Sequence, residues 1–134
     1  MNRRAAAKTP NMKRLLPVLM LVLLFAGCKK TDPRDDVYVL ITYRAQPNKS
    51  VDAVNGLRRL IEEVKLEDHF VSIDLHVDQA NNANIMLFER WDDEGYYRNQ
   101  HMETDHMKDF IVNSQAFLEG PPSISYWKLH ERFE

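Results

Sequence analysis

The hydrophobic and polar positions of the chain change their period several times between residues 37 and 131. Val37–Arg44 is apolar almost throughout and rich in β-branched and aromatic residues, which predicts a strand covered on both faces. Phe70–Asp78 alternates between apolar and polar residues, which predicts a half-buried strand. Ala83–Trp91 is its expected hairpin partner, and Ser123–His130 is predicted to form the last strand.

Two segments between these strands carry apolar residues at the three- and four-residue spacing of a helix. The first begins at Ser50, which is expected to cap it, and its apolar stripe ends at Val64. The second follows a break at Asp92–Asp93 and divides into two short helical pieces near Thr104, the expected cap of the second piece. The core stripe of that second piece is predicted to comprise Met107, Phe110, Ile111, Phe117 and Leu118.

The resulting order β-α-β-β-α-β predicts an α+β fold of the ferredoxin-like type, in which an antiparallel four-stranded sheet carries its helices on one face. The first and third strands are nevertheless apolar on both faces, as is part of the last strand at Tyr126, Trp127 and Leu129. A monomer would therefore expose a large apolar patch, which usually marks an interface. The pattern predicts a homodimer that packs sheet against sheet.

The first 27 residues differ from the rest, because a basic flank is followed by the apolar run Leu15–Gly27. This run is shorter than the roughly 20 residues that cross a bilayer, so it predicts an export signal over residues 1–27. Leu24–Cys28 resembles the lipobox of bacterial lipoproteins, which implies cleavage before Cys28 and a lipid on its thiol. An uncleaved anchor is the alternative. Residues 28–36 are predicted to form a tether and residues 37–131 the domain.

The net charge of the predicted mature chain limits the kinds of partner that it could bind. Without residues 1–27, 13 Lys+Arg would stand against 20 Asp+Glu. Such an acidic domain is unsuited to nucleic acid, which is bound by neutralising phosphates. It would not adhere to an anionic membrane surface either, so attachment to the cell envelope depends on the lipid, with the membrane and its side left open. Cys28 is the only cysteine, which excludes an intrachain disulfide.

Aromatic and titratable side chains concentrate where the third strand meets the helical region. Asp93, Tyr97 and His101 share one face of a helix, and Trp91 ends the strand before it. His101 has the ordinary pKa of a general base at neutral pH, so it could deprotonate an electron-rich phenol beside Trp91. Trp91 and Tyr97 are then expected to stack on the ring of the bound phenol. Glu89 is expected to pair with an arginine across the sheet.

The histidine spacing argues against a metal centre. His101 and His106 are five residues apart, which on a continuous helix separates them by roughly 140° and prevents them from converging as an i, i+4 pair would. His69 and His76 lie on or beside another strand. No metal site is therefore predicted, and the chain has no Gly-rich phosphate loop that would indicate a nucleotide cofactor.

Glu89-x-Trp91 followed by His101, His106 and Phe110, within this element order, resembles the antibiotic biosynthesis monooxygenase family over residues 36–131. The resemblance implies a dimeric α/β barrel with a pocket between sheet and helices in each subunit. Its members include cofactor-independent oxygenases that act on quinols and polycyclic phenols, haem-degrading enzymes and isomerases. Haem-degrading members use an asparagine on the first strand, and the matching position near Ile41 is apolar here, which disfavours haem.

The favoured hypothesis is thus an envelope-tethered monooxygenase that uses O2 on a small aromatic substrate such as a quinol. A non-catalytic dimer that binds a small ligand and a small-molecule isomerase remain open. The site is predicted to have His101, Trp91 and Tyr97 as catalytic residues and Tyr96, His106 and Phe110 as substrate-binding residues.

Overall fold

The computed structural model describes residues 32–134, so the predicted signal segment, Cys28 and the start of the tether lie outside the described residues. The elements are β1 Val37–Arg44, α1 Ser50–Val64, β2 Phe70–Val77, β3 Asn84–Trp91, α2 Glu94–Arg98, α3 Asp105–Asn113 and β4 Ser123–Trp127. This confirms the ferredoxin-like β-α-β-β-α-β fold. The last strand ends three residues earlier than predicted. No helix within residues 32–134 has the length and apolar character needed to cross a membrane.

The four strands form one antiparallel sheet in the order β2-β3-β1-β4. In this register Glu89 of β3 stands between Val39 of β1 and Ile73 of β2. Alternate residues of β1 and β3 point towards the helices and are almost fully buried, as their period of two requires. The inward-facing residues of these two strands are Val37, Val39, Ile41, Tyr43, Ile85, Leu87, Glu89 and Trp91.

Helix α1 packs its apolar stripe on this face, with Leu57 fully buried. A Cβ atom on Gly56 would lie 2.4 Å from the Phe117 ring, so only glycine lets the ring pack on the helix. The predicted cap at Ser50 is wrong. Lys49 occupies the cap position without a side-chain bond, and the Ser50 hydroxyl contacts Asn82 Oδ1 at 3.0 Å instead.

The helical region after β3 breaks twice. Asp93 caps α2 by accepting a hydrogen bond from the Tyr96 N–H at 2.8 Å. A 3-10 turn at His101–Glu103 follows, and Thr104 is extended (φ −64°, ψ 150°) before α3 begins. The break near Thr104 is as predicted, but its side chain does not cap α3. Its hydroxyl donates backwards to the His101 carbonyl at 2.8 Å, because the extended backbone holds it above the preceding turn.

Helix α3 is shorter and more exposed than its apolar stripe predicts. It ends at Asn113, has no fully buried residue, and leaves half of the Ile111 surface accessible. Phe117 and Leu118 are buried, but they lie beyond the helix, where the chain turns towards β4. The segment therefore covers the sheet loosely and leaves space beneath it.

Candidate active site

A cavity of about 560 Å³ lies between the inward face of the sheet and the helical region. This volume falls in the range of small-molecule sites. Its wall is mainly apolar and includes Ile41, Leu60, Ile73, Leu87, Met107 and Phe110. Five residues with titratable side chains also line it: Tyr43, Glu89, Tyr97, His101 and Glu119. A site of this kind suits a largely apolar ligand that carries a small number of hydroxyl or carbonyl groups.

His101 lines the cavity and is almost fully buried. Its side chain is only 4% exposed. Its ring stacks on Tyr97 with centroids 5.0 Å apart and lies 4.7 Å from the indole of Trp91. Its Nδ1 is 3.0 Å from both carboxylate oxygens of Glu67. A carboxylate can only accept, so Nδ1 carries the hydrogen and the lone pair is left on Nε2.

The surroundings of His101 favour its neutral form. Burial lowers the pKa of the imidazole below its ordinary value, although the hydrogen bond and negative charge of Glu67 act in the opposite direction. A neutral histidine whose tautomer is fixed by a carboxylate has the arrangement that a general base requires.

Glu67 reaches this position from the turn between α1 and β2. Its side chain is 5% exposed although the neighbouring residues of the turn are exposed. His69 has a left-handed backbone (φ 67°) that reverses the chain into β2. The reversal is fixed to the end of β3, because His69 Nδ1 lies 2.7 Å from Asp92 Oδ1 and the Asp92 N–H donates to the His69 carbonyl.

Glu67 binds two further groups besides His101 through the same carboxylate. His106 Nε2 lies 2.5 Å from its Oε1, and the Tyr96 hydroxyl donates to its Oε2 at 3.2 Å. The expectation that His101 and His106 point apart is wrong, because the extended Thr104 breaks the helix between them. Ligand atoms of Glu67, His101 and His106 lie within 4.8 Å of one another, so these residues could hold a divalent metal. The Glu67 carboxylate already accepts hydrogen bonds from three side chains. The cluster can therefore also serve to orient His101 as a general base.

Trp91 lies beneath the cavity rather than in its wall. It is fully buried, with Phe70 packed edge-on against it at 5.8 Å. Its indole N–H donates to Glu89 Oε2 at 3.0 Å. The expected arginine partner of Glu89 is wrong, because the sheet register places Val39 and Ile73 beside it, and the neighbouring Arg90 faces the opposite side and binds Asp36.

The two buried tyrosines of the cavity remain neutral phenols. Burial raises the pKa of Tyr97 and of Tyr43, and the charge of Glu89 raises both further. They therefore offer hydroxyl groups for hydrogen bonding and apolar ring surface for packing against a ligand.

The structure brings some predicted site residues together and separates others. Tyr97, His101 and Phe110 line the cavity. Trp91 does not line the cavity and contacts it through Glu89 and the rings of Tyr97 and His101, so the expected stacking of the indole on a bound ring has no support. Tyr96 and His106 lie behind His101 at Glu67, and His106 borders a separate surface depression. Tyr96 and His106 therefore contact Glu67, the hydrogen-bond partner of His101, and do not line the cavity where they were predicted to bind substrate.

Glu67 and Glu89 are the functional candidates that the sequence interpretation did not identify. For Glu89 a signal was present, because a carboxylate at an inward position of a buried strand is costly unless it is used. For Glu67 there was none, since it stands among charged residues in a turn and its burial depends on the backbone reversal at His69.

Comparison with known proteins agrees with this geometry. The family model described as antibiotic biosynthesis monooxygenase matches residues 36–113. Among curated proteins no sequence match was found.

Solved structures share the fold at low sequence identity. A conserved protein from Methanosarcina mazei Go1 is 23% identical, with a TM-score of 0.65 over 72% of this chain and 94% of its own. An antibiotic biosynthesis monooxygenase structure is 19% identical, with a TM-score of 0.64 over 71% and 99%. SnoaB, a cofactor-independent oxygenase from Streptomyces nogalater, is 10% identical, with a TM-score of 0.65 over 73% and 96%.

The match covers more than half of the chain, including Glu67, the Glu89-x-Trp91 strand and both histidines of the site. The protein therefore belongs to the antibiotic biosynthesis monooxygenase family.

Proposed function

We propose that the protein is a cofactor-independent monooxygenase that oxidises a quinol or another electron-rich phenol with O2. The observation that carries this proposal is the buried Glu67–His101 pair at the wall of an apolar cavity. In the balanced reaction, a quinol and O2 yield a hydroxyquinone and water. The quinol itself supplies the electrons that reduce the second oxygen atom, so no external reductant is needed.

His101 begins the reaction as general base. Its Nε2 takes the proton of the substrate hydroxyl while Nδ1 stays hydrogen-bonded to Glu67, and this carboxylate stabilises the imidazolium that forms. The apolar wall excludes water from the resulting phenolate. An unsolvated phenolate gives up an electron to O2 more readily than a hydrated one. The description of SnoaB as a cofactor-independent oxygenase lends support from a protein of the same fold.

Oxygen uptake with a panel of naphthoquinols and hydroxylated polycyclic phenols tests this function. We expect His101→Ala to lower kcat by about 10²- to 10⁴-fold, whereas His130→Ala, at an exposed position, should leave it unchanged. Uptake should persist in a chelator, since the Glu67 cluster supports the base by hydrogen bonds. Tight phenol binding without uptake would favour the ligand-binding alternative, and ring rearrangement without uptake would favour the isomerase.

We also propose that the protein is a homodimer joined through the outward face of the sheet. This face carries Tyr38, Leu40, Met86, Phe88 and Trp127, and Trp127 is 57% exposed. Phe88 is 37% exposed at the middle of the same face. An apolar surface of this kind, left uncovered by its own chain, supports a second copy as its partner.

The dimer is tested by sedimentation at micromolar concentration. Phe88→Glu, which puts a charge at the centre of the outward face, is expected to convert the dimer into a monomer. Val51→Glu, at an exposed apolar position of α1, is the matched control and should remain dimeric. A wild type that sediments as a monomer at all accessible concentrations would contradict the assembly.

We also propose that the domain is attached to the cell envelope by a lipid. The lipobox-like Leu24–Cys28 supports attachment of the domain to the cell envelope through a lipid on Cys28. The wild-type protein, expressed with its full leader, should partition into the detergent phase, and Cys28→Ser should move it to the aqueous phase. Equal partitioning of the two proteins would exclude lipid attachment at this cysteine.

A further inference from the structure

Glu89 lines the cavity but has no role in the proposed base catalysis by His101. It is 4% exposed and lies on the inward face of β3, flanked by Val39 and Ile73, neither of which can hydrogen-bond to a carboxyl group. One of its oxygens, Oε2, accepts from the Trp91 indole. No Lys or Arg among residues 32–134 forms an ion pair with it. A carboxyl group buried in this way, without a cation, is costly to retain unless it acts.

The titratable groups that face Glu89 come from every element packed around it. They are Tyr43 on β1, Glu67 in the turn before β2, Tyr97 on α2, and His101 beyond α2. None of them supplies a positive charge when His101 is neutral. Burial, together with the charge of Glu67, raises the pKa of Glu89 to about 7 against the opposing hydrogen bond from Trp91. A large share of the Glu89 carboxyl is therefore protonated at neutral pH.

The proposed oxidation needs such a proton donor. Once O2 has bonded to the ring carbon next to the phenolate, the distal peroxide oxygen must be protonated before the O–O bond can break. The distal oxygen needs two protons to become water. His101, which has taken the hydroxyl proton of the substrate, can supply only one of them.

On the basis of the proposed monooxygenase function, we propose that Glu89 is a second catalytic residue, whose protonated carboxyl gives its proton to the distal peroxide oxygen. Trp91 is the positioning residue, because its indole N–H fixes this carboxyl by a hydrogen bond. The ring carbon then loses its hydrogen as a proton, the electrons of that bond form the new carbonyl group, and hydroxide leaves as the O–O bond breaks. The carbon proton restores Glu89, and the His101 imidazolium gives its proton to the hydroxide. Quinol and O2 thus become hydroxyquinone and water, and both residues return to their starting state.

The assignment predicts a change of product, which a merely structural role would not cause. In Glu89→Gln the peroxide lacks its donor and is expelled, so the quinol ends as quinone and hydrogen peroxide. We expect hydroxyquinone formation to fall about 10²-fold and hydrogen peroxide to appear in proportion to the oxygen consumed. Glu63→Gln, at an exposed position of α1, is the control and should keep the wild-type products. Unchanged products in Glu89→Gln would overturn the assignment.

Trp91→Phe tests the positioning role. The carboxyl remains, but its ionised form loses the hydrogen bond that stabilises it. In the wild type, the share of hydroxyquinone among the products should fall as pH rises through about 7, and in Trp91→Phe this fall should move to higher pH. An unmoved transition would remove Trp91 from the mechanism.

A binding measurement decides the donor role even without turnover. Naphthoquinone, whose carbonyl accepts from a protonated carboxyl, should bind less tightly to the wild type above about pH 7. This dependence should persist in His101→Ala and disappear in Glu89→Gln, as followed by quenching of intrinsic fluorescence. If no quinol is oxidised but this dependence is seen, the monooxygenase function fails while Glu89 remains the donor that recognises the ligand oxygen. Binding by the wild type that is absent or independent of pH would overturn the donor role itself.

Discussion

Replacing Glu67 by glutamine is expected to lower kcat for quinol oxidation by about 10²-fold while the protein stays folded. Glutamine has nearly the same shape, so the contacts to Tyr96 and His106 can be kept in part. It lacks the negative charge that stabilises the imidazolium of His101 after proton transfer. Its amide can also donate to Nδ1, which would place the hydrogen on Nε2 and remove the lone pair that faces the substrate.

The pH dependence of this variant has a definite sign. Glu67 raises the pKa of His101 through its hydrogen bond and its charge, in opposition to burial. Without the carboxylate the pKa falls further, so the acid limb of the kcat profile should move to lower pH as the maximum falls. Glu63→Gln, four residues earlier and exposed, is the control for the loss of one acidic charge. A wild-type profile for Glu67→Gln would show that His101 works without its carboxylate partner.

The strands of this fold could be predicted because β1 is apolar almost throughout and β2 alternates between apolar and polar residues. The boundaries of β1 agree with its apolar run, and those of β2 and β3 lie within one residue of the predicted segments. The last strand was overestimated, since Lys128–His130 continue the alternation without a partner on β1. The hydrophobic pattern of a segment indicates which face of the sheet each side chain occupies. The length of the strand depends instead on hydrogen bonding to a neighbouring strand.

The site was predicted less completely, because it depends on breaks in regular structure. Tyr97 and His101 were correctly placed together, since the spacing of four survives the junction between α2 and the 3-10 turn. The relation between His101 and His106 was mispredicted, because one extended residue, Thr104, replaces the helical angle assumed between them. Glu67 joins them from 34 residues earlier in the chain through a left-handed histidine, a conformation that local pattern does not reveal.

Trp91 shows why a motif can be right while the role given to its residues is not. Glu89-x-Trp91 places two side chains on the same face of β3, and the larger one fills the core. The aromatic residue thereby becomes the support, and the carboxyl group beside it faces the cavity. In the proposed mechanism the chemistry of the motif therefore belongs to the Glu89 carboxyl group, and the Trp91 indole holds that group in place.

Glu89→Gln is expected to make the protein more stable at alkaline pH by an amount on the order of 3 kcal/mol. The pKa of Glu89 is about 7 in the folded chain, against an ordinary value of 4.5. Between these two values the folded state binds a proton that the unfolded state has released, so stability falls as pH rises through this window. The stability that Glu89 contributes is thus fully present below about pH 4.5 and lost above about pH 7. Glutamine is neutral at both extremes and avoids the loss.

Urea denaturation of the wild type and the variant at about pH 4.5 and about pH 8 measures the effect. The two proteins should be nearly equal in stability at the lower pH, and Glu89→Gln should be the more stable at the higher. Glu63→Gln should show no such divergence, because water solvates this exposed side chain in both states. A difference between Glu89→Gln and wild type that does not change with pH would mean that Glu89 is hydrated in the folded protein. A more stable variant that releases hydrogen peroxide would show that this carboxyl is retained at a cost to stability for the proton that it delivers.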